Sequence, residues 1–336
     1  MQNREDSVTP ARIRRLFAIG WILVFTAAAQ MAPREAQAQK GYPDDIIHFI
    51  SGYAVGSGAD VLVRYFAEKV GRLSGATIVV ENKPGATGNI ATEYAARSKP
   101  NGYTVLVHAG SGLAGNMHLY KTNVDVTKDL QLVATINKQG TFLVVSADSP
   151  YKTIGELAAA MKAKKDKASY GTSSTTGTIT GEMFKQVAGL DTMLVNYKSS
   201  PDTIKDLVGG QLDYAMVDPL LGLAEQRKGR VRVLANCAPE RMTSSPDVPT
   251  MIESGFNMSL VGWWAAAVPA ETPRPIVDQL NAWFNQVLAT EETKKFVEDA
   301  GGDIFISTPD DAQKLLVNDV KAWGEHIRIG KIQRAG

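Results

Sequence analysis

The fold class is indicated most clearly by IIHFISGYAVGSGADVLVRYFAEKVGRL, residues 46–73. Residues 46–50 are mostly apolar and predict a buried strand, whereas residues 61–73 carry apolar side chains at helical spacing. The loop between strand and helix consists of Val55, Gly56, Ser57, Gly58, Ala59 and Asp60. Free backbone N–H groups and the helix dipole make such a place attractive to anions.

A second stretch repeats this arrangement in the middle of the chain. In ASYGTSSTTGTITGEMFKQVA, residues 168–188, a short strand-like run leads through a hydroxyl-rich loop into a helix-like run. This loop consists of Thr172, Ser173, Ser174, Thr175, Thr176, Gly177 and Thr178. Neither loop contains Lys or Arg, so the pair predicts a small anion gripped from two sides by N–H groups and hydroxyls. The alternative is that Ser, Thr and Gly simply cap the two helices.

The rest of the chain also alternates strand-like and helix-like runs. Further strand candidates lie at residues 78–81, 104–108, 143–146, 214–217 and 231–236, with amphipathic stretches between them. This alternation predicts an α/β fold with mainly parallel sheets, built as one large domain or as two lobes. In such folds ligands lie beyond the carboxyl ends of the strands, which is where both loops fall.

The N-terminus predicts export. Arg12, Arg14 and Arg15 precede an uncharged apolar run at residues 16–29, and residues 36–38, Ala-Gln-Ala, have the small-x-small pattern of a signal-peptidase site. We therefore expect residues 1–38 to be a signal peptide cleaved after Ala38, and the mature protein to be periplasmic. A single membrane anchor is the alternative, but the run is shorter than the ~20 residues that a spanning helix needs.

Composition excludes several classes of protein. Lys and Arg total 36 against 35 Asp and Glu, and no basic run or aromatic-basic patch indicates a nucleic-acid partner. Cys237 is the only cysteine, so an intrachain disulfide is excluded. Stability must come from an ordinary core, which a chain of 336 residues can build. We expect a monomer.

The usual signatures of catalysis are missing. The four histidines are widely spaced and Cys237 has no cysteine partner, so no metal and no cofactor are expected. Ser111 follows a strand as a nucleophile elbow does, but Ala109 replaces the first glycine of Gly-x-Ser-x-Gly. Asp60 and Asp218 fall near strand ends and could act as acid and base, although a helix cap or a turn explains each more simply. We predict no enzymatic activity, and a secreted serine hydrolase using Ser111 is the alternative.

Several further segments form an ordered pattern along the chain. They are VENKPGATGNI at 80–90, NGYTVL at 101–106, YKSS at 197–200, DLVGGQLD at 206–213, PDVPT at 246–250, ESGF at 253–256 and GWW at 262–264. This ordered set resembles the periplasmic solute-binding proteins of tripartite tricarboxylate transporters, known as the Bug family. The resemblance covers about residues 45–330, which is nearly all of the chain after the signal.

The resemblance implies a two-lobed α/β binding protein, type II-like, that closes around a small organic acid. It also implies that the anion-binding loop of each lobe holds a carboxylate with help from ordered water, and that a membrane permease receives the ligand. A periplasmic partner that reports the ligand to a membrane receptor would share this fold and is a further alternative. Family members usually carry Pro-Gly-Gly-x-x-Asp in the first loop and a histidine in the second. This chain lacks the proline, the second glycine and the histidine, and these departures bear on which acid it binds.

The two loops and two further strand ends supply the expected ligand-binding residues. We expect Asp60 to organise its loop by accepting backbone N–H bonds, Asp218 either to line the cleft or to cap a helix, and Ser111 to lie at the cleft edge. The full expected set is Val55, Gly56, Ser57, Ala59, Asp60, Ser111, Thr172, Ser173, Ser174, Thr175, Thr176, Gly177 and Asp218.

The expected lobes are discontinuous in sequence. Residues 39–140 together with 265–336 would form the first lobe, and residues 141–264 the second. The chain would then cross between the lobes twice, near residues 139–142 and again near residues 260–264.

Overall fold

The computed structural model describes residues 41–197 and 199–329, together with Ile332 and Arg334. The expected signal peptide and its cleavage site lie outside these residues. By its internal contacts the chain divides into residues 1–42 and residues 43–336, and every described strand and helix belongs to the second unit. Within the described ranges, no helix has both the length and the apolar character that a membrane crossing requires.

The first part of this unit alternates strands and helices. Its strands are β1 (Ile47–Ser51), β2 (Ile78–Asn82), β3 (Thr104–Ala109) and β4 (Leu130–Gln139). Its helices are α1 (Gly58–Ser74), α2 (Asn89–Ala96), α3 (Asn116–Leu119) and α4 (Val126–Asp129). A 3₁₀ turn covers Ala86–Gly88, and a π-helical turn over Ser111–Gly115 leads directly into α3.

The middle part continues the alternation. Its strands are β5 (Phe142–Ser146), β6 (Ser169–Thr172), β7 (Met193–Asn196), β8 (Tyr214–Val217) and β9 (Val231–Asn236). Its helices are α5 (Ile154–Lys164), α6 (Thr175–Ala188), α7 (Ser200–Val208) and α8 (Pro219–Arg227). The C-terminal part contains β10 (Gly262–Pro269), β11 (Asp303–Ile304), α9 (Arg274–Leu288), α10 (Glu291–Asp299) and α11 (Pro309–Ile329).

These strands form two separate sheets, as the two-lobed α/β prediction requires. The first sheet has the order β11-β4-β10-β3-β1-β2, and the second has the order β7-β6-β8-β5-β9. The chain passes from the first sheet to the second between β4 and β5, and returns between β9 and β10. Gly262 pairs with Gln139, so the two crossing segments run side by side.

Both sheets are mixed, whereas the sequence predicted mainly parallel ones. The strands β1, β2 and β3 pair in parallel, as do β6, β7 and β8. In contrast, β10 is antiparallel to β3 and β4, and β5 is antiparallel to β8 and β9. The difference arises because β5 and β10 are reached through the crossing segments and not through a helix packed on the same sheet, so the parallel β-α-β rule does not apply to them.

The first strand-loop-helix unit shows how the sequence produces its local structure. Ser57 caps α1 by accepting a hydrogen bond from the backbone N–H of Asp60, and Gly75 ends the helix with a φ of 72°. The buried face of α1 includes Leu62, Val63, Phe66 and Val70. Phe66 stacks on Phe284 of α9 with ring centroids 5.9 Å apart. Each such side chain contributes about 1.5–3 kcal/mol on burial, which fixes α1 and the loop before it on the first sheet.

Candidate ligand-binding cleft

A cleft of about 140 Å³ lies where the two sheets meet. Both crossing segments, the π-helical turn after β3 and the first residues of α6 and α8 contribute to its lining. The lining residues are Ala109, Ser111, Gln139, Gly140, Thr141, Ser174, Thr176, Asp218, Pro219, Gly262, Trp263 and Trp264. The volume is below the about 300–1,000 Å³ typical of pockets for drug-sized molecules, so the cleft suits a small solute.

The second loop brings the N-terminus of α6 to this cleft. Ser174 caps the helix, because its hydroxyl accepts a hydrogen bond from Gly177 N–H at 3.0 Å and its carbonyl accepts one from Thr178 N–H at 2.9 Å. The N–H groups of the two residues before Gly177, Thr175 and Thr176, precede the first bond of the helix ladder and have no carbonyl to pair with inside the helix. Together with the hydroxyls of Ser174 and Thr176 they form a place for an anion.

Part of the second loop faces a second cavity and not the cleft. Ser173 and Thr175 line a separate surface cavity of about 310 Å³, which Ser174 also borders. The Ser173 hydroxyl lies 2.7 Å from the hydroxyl of Ser200. Thr172 is fully buried, and a Cβ on Gly177 would lie 2.0 Å from its Oγ1. Among these residues, therefore, only Ser174 and Thr176 face the cleft between the sheets.

The second helix N-terminus at the cleft belongs to α8. Asp218 caps this helix, since its Oδ1 accepts a hydrogen bond from Leu221 N–H at 2.9 Å. Asp218 is also the one charged residue among the described residues that line the cleft. Asp218 therefore both lines the cleft and caps α8, which are the two roles that the sequence allowed for it. Pro219 follows at the first helical position, where its missing N–H costs nothing.

Ser111 enters the cleft from the first sheet as the first residue of the π-helical turn. The nearest histidine in sequence, His108, is buried, and burial lowers the pKa of its imidazole to about 4. Its Nδ1 lies 3.1 Å from the carbonyl of Ala109, and no described hydrogen bond joins a histidine to Ser111. A serine–histidine pair of the kind that a hydrolase needs is therefore not formed by these side chains.

The first loop does not contribute to the described lining of the cleft, which includes none of Val55, Gly56, Ser57, Ala59 and Asp60. Asp60 is buried and holds the loop together. Its Oδ2 accepts hydrogen bonds from Gly56 N–H at 2.8 Å and from Arg64 Nε at 2.9 Å, and its Oδ1 accepts one from Asn82 at 2.7 Å. The Arg64 guanidinium is the main cause that lowers the pKa of Asp60 to about 2.

Tyr53, two residues before the first loop, packs against a residue of the cleft lining. Its ring centroid lies 5.2 Å from that of Trp264, which lines the cleft, and 5.0 Å from that of His108. Burial raises the pKa of the Tyr53 hydroxyl, so the group stays neutral. No local sequence pattern marks Tyr53 or the crossing residues Gln139, Gly140, Thr141 and Gly262 as part of the cleft. The four crossing residues could have been identified only from the two expected crossing points between the lobes.

Comparison with known proteins bears on this arrangement. The family model described as "Tripartite tricarboxylate transporter family receptor" matches residues 62–331. The chain is 31% identical over 285 residues to a UPF0065 protein of Bordetella bronchiseptica, and the match covers 84% of each chain.

Solved structures share the fold. The periplasmic binding protein BugD is 26% identical and superposes with a TM-score of 0.73, covering 88% of this chain and 100% of BugD. The R. palustris protein Rpa4515, solved with adipate, has a TM-score of 0.77 at 23% identity over 88% of this chain and 100% of its own. At this lower identity the likeness of Rpa4515 concerns the fold.

Proposed function

Because the chain belongs to the tripartite tricarboxylate transporter receptor family, we propose that it binds a small carboxylate in the periplasm and delivers it to a membrane permease. The observation that carries this proposal is the convergence of two helix N-termini, those of α6 and α8, on one cleft between the sheets. No Lys or Arg is present among the described residues of the lining. The negative charge of the ligand is therefore stabilised by N–H groups, hydroxyls and helix dipoles.

The ligand carboxylate is held from both sheets at once. Ser174 and Thr176 supply hydroxyls at the start of α6, and Ser111 supplies a hydroxyl from the opposite side. Hydrogen bonds to a charged group contribute about 1.5–3 kcal/mol each, so a few of them suffice for tight binding of a small acid. Tyr53, which precedes the first loop in the chain, supports this site by packing on Trp264. No chemical step is required of these residues.

The lobes that close around the ligand are residues 39–140 with 265–336, and residues 141–264. In this proposal the two crossing segments act as the hinge and also line the cleft, at residues 139–141 and at residues 262–264. A ligand that contacts both lobes favours the closed form by the contacts that the open form lacks. Binding and closure are thus coupled in the same residues.

A matched pair of threonine variants tests the assignment. In Thr176→Val the cleft loses one hydroxyl, whereas Thr178→Val removes a hydroxyl from the same helix that faces the other cavity. A thermal-shift screen with mono-, di- and tricarboxylates, adipate included, identifies a binding acid, since a ligand at a hundredfold over Kd adds about 2.7 kcal/mol of stability. We expect Thr176→Val to weaken that acid about tenfold or more and Thr178→Val to leave it unchanged. A Thr176→Val variant that binds the acid as tightly as the parent would show that the Thr176 hydroxyl does not contact the ligand.

A further inference from the structure

A partly buried carboxyl group lies behind the cleft. Oδ2 of Asp319, on α11, accepts hydrogen bonds from the indole N–H of Trp263 at 2.9 Å and from that of Trp323 at 3.1 Å. Trp263 belongs to β10 at the second crossing and lines the cleft, although it is only 2% exposed. One oxygen atom therefore ties a cleft residue to the C-terminal helix.

The same two indole rings pack against the turn that carries Ser111. A Cβ on Gly110 would lie 2.3 Å from the Trp263 ring, and a Cβ on Gly115 would lie 2.7 Å from the Trp323 ring. The backbone on both sides of Ser111 thus approaches the rings as closely as glycine allows. A change in the orientation of either ring would therefore displace the turn that carries Ser111.

We infer that Asp319 is a positioning residue for the ligand cleft: by holding both indole N–H groups, it fixes the Trp263 wall and the Ser111 turn. This inference rests on the proposed function of the cleft. Two neutral donors offset the cost of desolvating a carboxyl group only in part, and burial raises the pKa of Asp319 to about 6. An apolar residue would fill this place without that cost but could not orient two indoles.

Two substitutions separate the orienting role from simple packing. Asp319→Asn keeps a carbonyl oxygen that can accept from both indoles, whereas Asp319→Leu keeps the volume and removes the acceptor. Glu325→Leu is the control, because it removes an exposed carboxylate from the same helix, where Glu325 pairs with Arg328 at the helix surface. Thermal unfolding of each variant confirms that it is folded.

The affinity for adipate, or for the tightest acid of the screen if adipate does not bind, is measured by calorimetry. We expect Asp319→Leu to weaken binding about tenfold, with Asp319→Asn within about threefold of the parent and Glu325→Leu unchanged. In a Trp263→Phe background, Asp319→Leu should have less than about a third of that effect, because the two residues act as one unit. Parent-like binding by a folded Asp319→Leu, or additive effects in the cycle, would overturn the inference.

Ligand-free NMR keeps this test independent of the proposed function. The indole N–H signals of Trp263 and Trp323 and the amide signals of Gly110 and Gly112 should shift in Asp319→Leu and stay in place in Glu325→Leu. If no acid binds the parent, the proposed function fails while these shifts still decide the positioning role. If acids bind the parent but the Gly110 and Gly112 signals do not respond, only the positioning role fails.

Discussion

At the scale of single residues, two aspartates removed from bulk solvent show how hydrogen-bonding partners determine the pKa of a carboxyl group. Asp60 faces the Arg64 cation and several N–H donors, and its pKa falls to about 2. Asp319 has only neutral indole donors, so desolvation dominates and its pKa rises to about 6. The first carboxylate stabilises the folded state at neutral pH, and the second weakens it there.

Asp319→Asn should therefore stabilise the protein at pH 7 and not at pH 4. The folded protein holds the Asp319 proton more tightly than the unfolded chain, whose ordinary pKa is 3.8. The stability that this carboxyl contributes in its protonated form is consequently lost as the pH rises from about 4 to about 6. The asparagine avoids this loss, which amounts to at most about 3 kcal/mol. Urea unfolding of variant and parent at both pH values measures this difference in stability. A variant that is no more stable than the parent at pH 7 would contradict a raised pKa for Asp319.

Asp218→Asn should raise the affinity for a dicarboxylate. Asparagine caps a helix as well as aspartate does, so the start of α8 stays intact. Removing one negative charge from the cleft lining reduces repulsion of the ligand, and we expect Kd to fall about three- to tenfold at low salt. Asp202→Asn, at the start of α7 and bonded to Ser199, is the matched control. A weaker affinity in Asp218→Asn would instead indicate a cationic group of the ligand at this position.

At the scale of elements, local signals predicted the strand-loop-helix units and tertiary contacts decided the rest. The caps Ser57, Ser174 and Asp218 follow from chain-local chemistry, and all three begin helices. Which loop residue faces the cleft depends on how the helix is rotated against the other sheet, and the sequence therefore could not separate Ser173 from Thr176. The antiparallel β5 and β10 were missed for a similar reason, since sheet partners across a crossing leave no local pattern.

Gly110→Ala tests the packing of the π-helical turn. The added Cβ would lie 2.3 Å from the Trp263 ring, so the ring or the turn must move. We expect a loss of about 1–3 kcal/mol in the free energy of unfolding, together with weaker ligand binding. Gly58→Ala is the control, because its Cβ would meet nothing within 4 Å and alanine favours the first turn of α1. A Gly110→Ala variant as stable as the parent and binding equally well would show that the turn is free to adjust.

At the scale of the whole molecule, the binding cleft depends on residues far apart in sequence. The two crossing segments meet at the Gln139–Gly262 pair, and Asp319 of the C-terminal helix accepts a hydrogen bond from Trp263 of the cleft lining. The order of motifs along the chain was enough to predict the family and the two-lobed fold. No sequence pattern marked Asp319 or Tyr53, because their roles arise from contacts that only the folded chain creates.

The two proposed lobes also touch away from the cleft. The N–H groups of Thr243 and Ser244 donate to the carboxylate of Asp303 at 2.8 and 3.0 Å. Gly301 packs against the start of α8, where an added Cβ would lie 2.7 Å from Pro219. These contacts join the part of the chain after β10 to the part before it, so closure of the cleft would involve the C-terminal elements as well as the hinge.

In the proposed function, the cleft recognises the charge of a carboxylate without a basic side chain. The most direct test of this proposal is calorimetry with a binding acid and with the neutral amide of the same acid, adipate and adipamide being one such pair. We expect one-to-one binding of an acid and at least about a hundredfold weaker binding of its amide, because two charge-assisted hydrogen bonds are lost. Equal affinity for acid and amide, or no binding of any acid in the screen, would contradict it.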